Sequence, residues 1–100
     1  MIIYNVTVKV DHAVATEWLA WMLEVHIPEV MNTGLFTENH VLKVLVEDSE
    51  GLTYSIQYYC KNMADYEKYR DEFAPALQAE TQKKYKERFV AFRTLLELIK

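Results

Sequence analysis

Val41-Leu-Lys-Val-Leu-Val-Glu-Asp-Ser-Glu-Gly-Leu-Thr-Tyr-Ser-Ile-Gln-Tyr-Tyr-Cys60 holds two strand patterns separated by the turn cluster Asp48-Ser-Glu-Gly51. In the second half Leu52, Tyr54, Ile56, Tyr58 and Cys60 alternate with Thr53, Ser55, Gln57 and Tyr59, a period of two with one apolar face. Turn residues between two such runs predict a hairpin. What flanks the hairpin then decides the fold.

Upstream, Ile2, Tyr4, Val6, Val8 and Val10 alternate with Ile3, Asn5, Thr7 and Lys9, a first strand. Asp11 offers an N-cap oxygen for a helix from about His12 through Glu17-Trp-Leu-Ala-Trp-Met-Leu-Glu-Val-His26, disturbed by Pro28 and stopped at Asn32-Thr-Gly34. Downstream, Asn62 caps a second helix with the stripe Tyr66, Tyr69, Phe73, Ala76 and Leu77, and Pro75 predicts a kink or brief break. Lys83–Arg88 forms a charged terminus favourable to the helix dipole, and Phe89–Ile99 reads as a last strand. Strand, helix, strand, strand, helix, strand is the ferredoxin-like βαββαβ order. It predicts an α+β fold, a four-stranded antiparallel sheet with two helices on one face. At 100 residues it predicts one domain, 1–100.

The covered face is expected to hold the even positions of strands one and three. Phe36, Leu42, Val44 and Val46 of strand two and Val90, Phe92, Leu96 and Leu98 of strand four join them. The other face then shows Asn5, Thr7, Lys9, Val41, Lys43, Leu45, Tyr59, Ala91, Arg93 and Leu95, a mixture that either meets water or is covered by a second copy. The first helix spreads its apolar residues over about 200°, wider than one sheet contact needs. Its surplus fits a partner, or the second helix and the strand-two loop.

Composition removes several function classes. Eleven Lys and Arg against fifteen Asp and Glu give −4, a poor balance for nucleic acid or an anionic membrane. RNA-recognition modules share this element order but stack bases on aromatics of the open face, where only Tyr59 is offered. One cysteine forms no internal disulfide, and Cys60 reads as a small core residue. No run approaches the ~18 apolar residues of a membrane span. Met1–Val10 lacks the basic start and continuous apolar core of a secretory signal, so a soluble, cytoplasmic protein is expected. There is no phosphate-binding glycine loop, no nucleophile elbow and no C-x-x-C. His26 and Glu29 have i, i+3 spacing without a second ligand cluster, so neither a metal nor another cofactor is expected.

His26 falls within the apolar arc of the first helix, where a neighbouring carboxylate such as Glu29 would make it a general acid or base. The plainer reading is a helix-end histidine meeting the dipole. Trp18 and Trp21, at i, i+3, are anchors or ligand-stacking rings. His12 and His40 read as surface. A pocket between the first helix and the sheet would be lined by Asn5, Trp18, Trp21, Tyr59 and Arg93, with His26 as the catalytic candidate.

The opening Met-Ile-Ile-Tyr-Asn-Val-Thr-Val, the segment Glu17-Trp-Leu-Ala-Trp-Met with His26-Ile-Pro-Glu-Val30, Thr53-Tyr-Ser-Ile-Gln-Tyr58 and Phe89-Val-Ala-Phe-Arg-Thr-Leu-Leu-Glu97 together resemble a small bacterial family, domain-of-unknown-function family 4286. More distantly, His26-x-Pro28 at the end of the first helix resembles the dimeric α+β barrel superfamily, which includes monooxygenases acting without a metal, EthD-like proteins and muconolactone-isomerase-like enzymes. That resemblance implies a homodimer paired through the sheet face and a small hydrophobic or aromatic ligand between sheet and helices. The alternative is a non-catalytic interaction or regulatory module whose open sheet face serves only for pairing.

Overall fold

The computed structural model describes residues 1–100. Strands β1 (Ile2–Asp11), β2 (Glu38–Lys43), β3 (Gly51–Cys60) and β4 (Phe89–Glu97) form one sheet in the order β2-β3-β1-β4. Every neighbouring pair is antiparallel. Helices α1 (Ala15–Trp21) and α2 (Ile27–Met31) fill the first crossover, and α3 (Met63–Glu72) and α4 (Ala74–Lys84) the second. This is the ferredoxin-like α+β architecture that the element order predicts.

The long central strands set the core. Val10 lies opposite Leu52 and Ile56 opposite Val6, so the even residues of β1 and β3 share a face. Tyr4, Val8, Val10, Tyr54, Ile56, Tyr58 and Cys60 are buried there against Trp18, Met22, Val30 and Tyr69. The thiol of Cys60 is fully enclosed, the small core side chain expected. Gly51 begins β3 because a Cβ there would stand 2.5 Å from the Val10 carbonyl oxygen.

The edge strands correct the sequence reading. Tyr4 pairs with Leu95 and Val6 with Arg93, so odd residues of β4 share the helix face with even residues of β1. Val90, Phe92 and Leu96 therefore lie on the open face, and Ala91, Arg93 and Leu95 on the covered one, the reverse of expectation. β2 is inverted likewise: Val41 faces with Ile56 and Lys43 with Tyr54, whereas Leu42 faces with Ser55. Alternation identifies two faces but not which is inward, and a slip of one residue exchanges them all. β2 also ends at Lys43, short of Glu47. Val46 N–H bonds back to the Val44 carbonyl at 3.0 Å, a three-residue turn that ends the pleat before Asp48. Val46 is thus exposed rather than covered, and so is Leu98, which lies beyond the end of β4 at Glu97.

The first helical rod is composite. Asp11 makes no side-chain cap; its carboxylate instead takes a 2.8 Å hydrogen bond from Arg88 Nε, and a 3-10 turn, His12–Val14, leads into α1. A π turn, Met22–His26, joins α1 to α2, and Ile27 N–H reaches the Met22 carbonyl. Pro28 follows. In an unbroken α-helix its ring would press on the carbonyl four residues earlier, and the wider turn relieves that clash, so the rod continues to Met31. In the second crossover Asn62 caps α3 as expected, accepting from Asp65 N–H at 2.9 Å. Pro75 produces a break: Phe73 leaves helical geometry (φ −121°) between α3 and α4.

Part of the surplus apolar arc of the first helix packs on its own chain, while Leu23 stays exposed. Trp21 meets the Tyr85 ring edge-on at 5.7 Å, with Lys84 Nζ 5.9 Å above the indole. No helix is long and apolar enough to cross a membrane.

Candidate functional site

The two halves of the helix–sheet interface differ. Beneath α3, Tyr4, Phe36, Tyr58 and Tyr69 pack ring on ring, with centroids 4.9–6.3 Å apart. Such contacts each contribute about 0.5–1.5 kcal/mol beyond simple burial. Beneath α4 the interface is hollow. A cleft of about 600 Å³ lies between β1–β4 and the helices. Its floor is Val6, Val8, Phe89, Ala91 and Arg93; α1 and the π turn give Trp18, Met22 and His26, and α4 gives Pro75, Gln78, Ala79, Thr81 and Gln82. Small and amide side chains of α4 stand where α3 inserts tyrosines. A chamber of about 30 Å³ lies beside the cleft, sharing Val6, Met22, His26, Gln78 and Arg93 with it and adding Tyr4, Tyr58 and Tyr69.

His26 sits in the wall of both spaces. Its Nδ1 lies 3.2 Å from Thr81 Oγ1. That hydroxyl also lies 3.3 Å from the Leu77 carbonyl, to which it can donate its single proton. With that proton on Leu77 the hydroxyl accepts from Nδ1–H and Nε2 is the basic nitrogen; turned toward His26 it donates to Nδ1 and Nε2 carries the proton. Burial pushes the imidazole below its usual pKa; the Glu80 carboxylate opposes this, and the Arg93 guanidinium adds to it. His26 is therefore neutral at neutral pH, the state a proton acceptor needs. Trp21 stacks on its ring at 5.4 Å and fixes its plane.

Two further groups carry unused hydrogen-bonding capacity. Trp18 is 1% exposed, and its indole Nε1 has no partner. An unpaired buried N–H costs about 1–3 kcal/mol. Arg93 donates from Nε to the Tyr4 hydroxyl at 3.1 Å, and none of the ion pairs of the chain involves it. Burial also raises the phenols of Tyr4, Tyr58 and Tyr69, which stay protonated O–H donors.

The sequence-selected residues divide. Trp18, His26 and Arg93 meet around the cleft, and Trp21 supports His26 from behind. Arg93 arrives there because β4 is inverted relative to expectation. Asn5 and Tyr59 do not reach the cleft. They lie on the open face, where Asn5 accepts from Ser55 Oγ at 2.6 Å and Tyr59 bonds to Gln57 at 3.3 Å. Glu29 is no partner for His26 either. Loss of solvation first, and then the neighbouring Glu80, raise its carboxyl pKa; the carboxylate whose field reaches His26 is Glu80. The surface readings of His12 and His40 hold: His12 meets the Asp48 carbonyl and His40 pairs with Glu38, both in the open. No three His, Cys, Asp or Glu side chains are grouped as a metal ion would require. Gln78, Thr81 and Gln82 escape the sequence reading, although their i, i+3, i+4 spacing marks a polar stripe on one helix face.

The open face is more apolar than its sequence pattern suggests. Phe92 is 68% and Val90 59% exposed, with Leu42 and Leu96 also bared.

The backbone resembles solved structures along its whole length. HapK from Hahella chejuensis superposes with a TM-score of 0.73 at 11% identity, covering 99% of this chain and 93% of that one. A dimeric ferredoxin-like protein from an uncultured marine organism gives 0.70 at 15% identity, covering 100% and 96%. A mutant form of SnoaB, a cofactor-independent oxygenase from Streptomyces nogalater, gives 0.69 at 9%, covering 99% and 94%. At these identities the likeness is one of fold alone, the ferredoxin-like one. No curated protein sequence matches the chain. Residues 1–99 match the domain of unknown function DUF4286, and the chain belongs to that family.

Proposed function

We propose that this protein is a homodimeric small-molecule-binding protein that holds a small hydrophobic or aromatic compound in the cleft between its first helix and sheet, with His26 as the acid–base group of a cofactor-independent reaction. The observation that carries the reading is the cleft itself. About 600 Å³ lies within the 300–1,000 Å³ typical of ligand pockets, and apolar walls with a few convergent polar groups are what such pockets offer. A neutral imidazole stacked on Trp21, with Nδ1 engaged by Thr81 and Nε2 free, suits proton transfer with a bound ligand. Pairing is supported by the bared Val90, Phe92, Leu96 and Leu42 on the face opposite the helices. The similar marine protein is described as dimeric, and SnoaB as a cofactor-independent oxygenase.

Native mass spectrometry of freshly purified protein tests both parts. The expected result is a dimer carrying a small bound mass, reduced or absent in His26→Ala while the dimer persists. A monomer overturns the pairing. A dimer whose adduct is unchanged in His26→Ala removes His26 from the site and favours the non-catalytic module, in which the sheet face serves only for association. Phe92→Glu places a charge in the proposed interface and is expected to yield monomers; a dimer of undiminished strength would mean that the copies pair elsewhere.

A further inference from the structure

No Asp or Glu lines the cleft or its side chamber, the one charged side chain in their walls is Arg93, and the amides of Gln78 and Gln82 can donate as well as accept. This holds in a chain with four more acidic than basic residues, fifteen against eleven. Arg93 stands where cleft and chamber meet, has no carboxylate partner and spends only Nε on Tyr4. Guanidinium N–H groups cannot accept. Tyr58 and Tyr69 border the chamber, whose volume of about 30 Å³ is that of a small polar head group rather than a ring. Val6, Val8, Met22, Phe89 and Ala91 leave the remainder of the cleft apolar.

From this arrangement we infer that the ligand is an aryl or alicyclic acid, whose apolar body fills the cleft and whose ionised oxygen group sits between Arg93 and the side chamber. An anion would exchange the water that meets the exposed Arg93 guanidinium for a charge-assisted hydrogen bond, which a cation or a donor-rich neutral compound cannot make. Arg93 sets charge preference. The inference rests on the small-molecule reading above and sharpens it from any hydrophobic compound to an anionic one.

Two isosteres separate the ideas. Isothermal titration calorimetry with 2-naphthoate and 2-naphthamide, in low salt at pH 7.5, compares an anion with a neutral amide of the same shape. The expected result is 2-naphthoate binding at least about tenfold more tightly, as a charge-assisted hydrogen bond would give. In Arg93→Met that preference collapses toward unity while the amide binds as before, which also reports that the variant is folded. Equal affinities in the wild-type protein overturn the anionic inference and leave the small-molecule reading standing. A preference undiminished in Arg93→Met overturns the role of Arg93. Binding of neither compound overturns the aryl-acid assignment, and an adduct in the native mass spectrum would still uphold the broader reading.

Discussion

The two helices of the second crossover cover one sheet and do opposite things to it. α3 fills its half with Tyr66 and Tyr69, which stack against Tyr4 at 5.3 and 5.7 Å. α4 leaves its half empty, presenting Pro75, Gln78, Ala79 and Gln82 to a 600 Å³ cleft. The break at Phe73 makes this division possible, because it lets each helix lie against the sheet on its own terms. Close packing is the norm in protein interiors, and voids larger than a water are few. A large apolar hollow beside a dense aromatic cluster in so small a domain indicates that the cluster stabilises the fold and the hollow is kept for something else.

Attacking the filled half should give the largest effect. Tyr69→Ala removes a buried ring that touches Tyr4 and Phe36. The expected loss is about 3–5 kcal/mol, the range for truncating a buried aromatic residue, measured as a drop in urea midpoint at unchanged slope. A loss below about 1 kcal/mol would mean that the aromatic cluster is not what holds the sheet to its helices.

Filling the hollow half should do the reverse. Ala79→Phe adds a ring to a space already present. Stability is expected to stay within about 1 kcal/mol of the parent or to rise, as cavity-filling changes commonly do. The adduct seen by native mass spectrometry should vanish. A destabilisation as large as that of Tyr69→Ala would show that the cleft is closed in solution, and that the two halves are alike after all.

The same comparison explains what the sequence can disclose. The packed half is legible because its residues lie on the long central strands and on α3, where burial on one face enforces strict alternation and a clean helical stripe. Tyr4, Tyr58, Tyr69 and the Asn62 cap all stand as their spacing indicates. The hollow half is bounded by β4, an edge strand apolar on both faces: Phe89, Ala91 and Leu95 on one, Val90, Phe92 and Leu96 on the other. Periodicity cannot orient such a strand. It puts Arg93 on the wrong side, and with it draws Asn5 and Tyr59 into a site they cannot reach. His26, Trp18 and Trp21 stand out because a histidine and two indoles are conspicuous on an apolar helix arc. Gln78, Thr81 and Gln82 do not, since polar residues on a crossover helix look like a solvated face until a cleft is found beneath them.

The smallest effect expected is electrostatic, and it too divides the halves. Tyr58 and Tyr69 have phenols driven upward by burial, so no group of the aromatic cluster changes charge near neutrality. His26 borders the hollow, and burial is the main cause holding its pKa below the ordinary 6.5. The unfolded chain therefore takes up a proton near pH 6.5 that the folded chain accepts only at lower pH. Stability is expected to fall as pH drops through 6.5 toward the folded value and to level off below it, where both states are protonated. His26→Phe should flatten that part of the profile while leaving Tyr69 and its neighbours unchanged. Proton NMR of the imidazole, assigned by its absence in the variant, reads the pKa directly. A value at or above 6.5 would mean that Glu80 outweighs burial and that His26 is a cation at the mouth of the cleft. The donors around Arg93 would then be joined by one more, and a proton-accepting role for Nε2 would be lost.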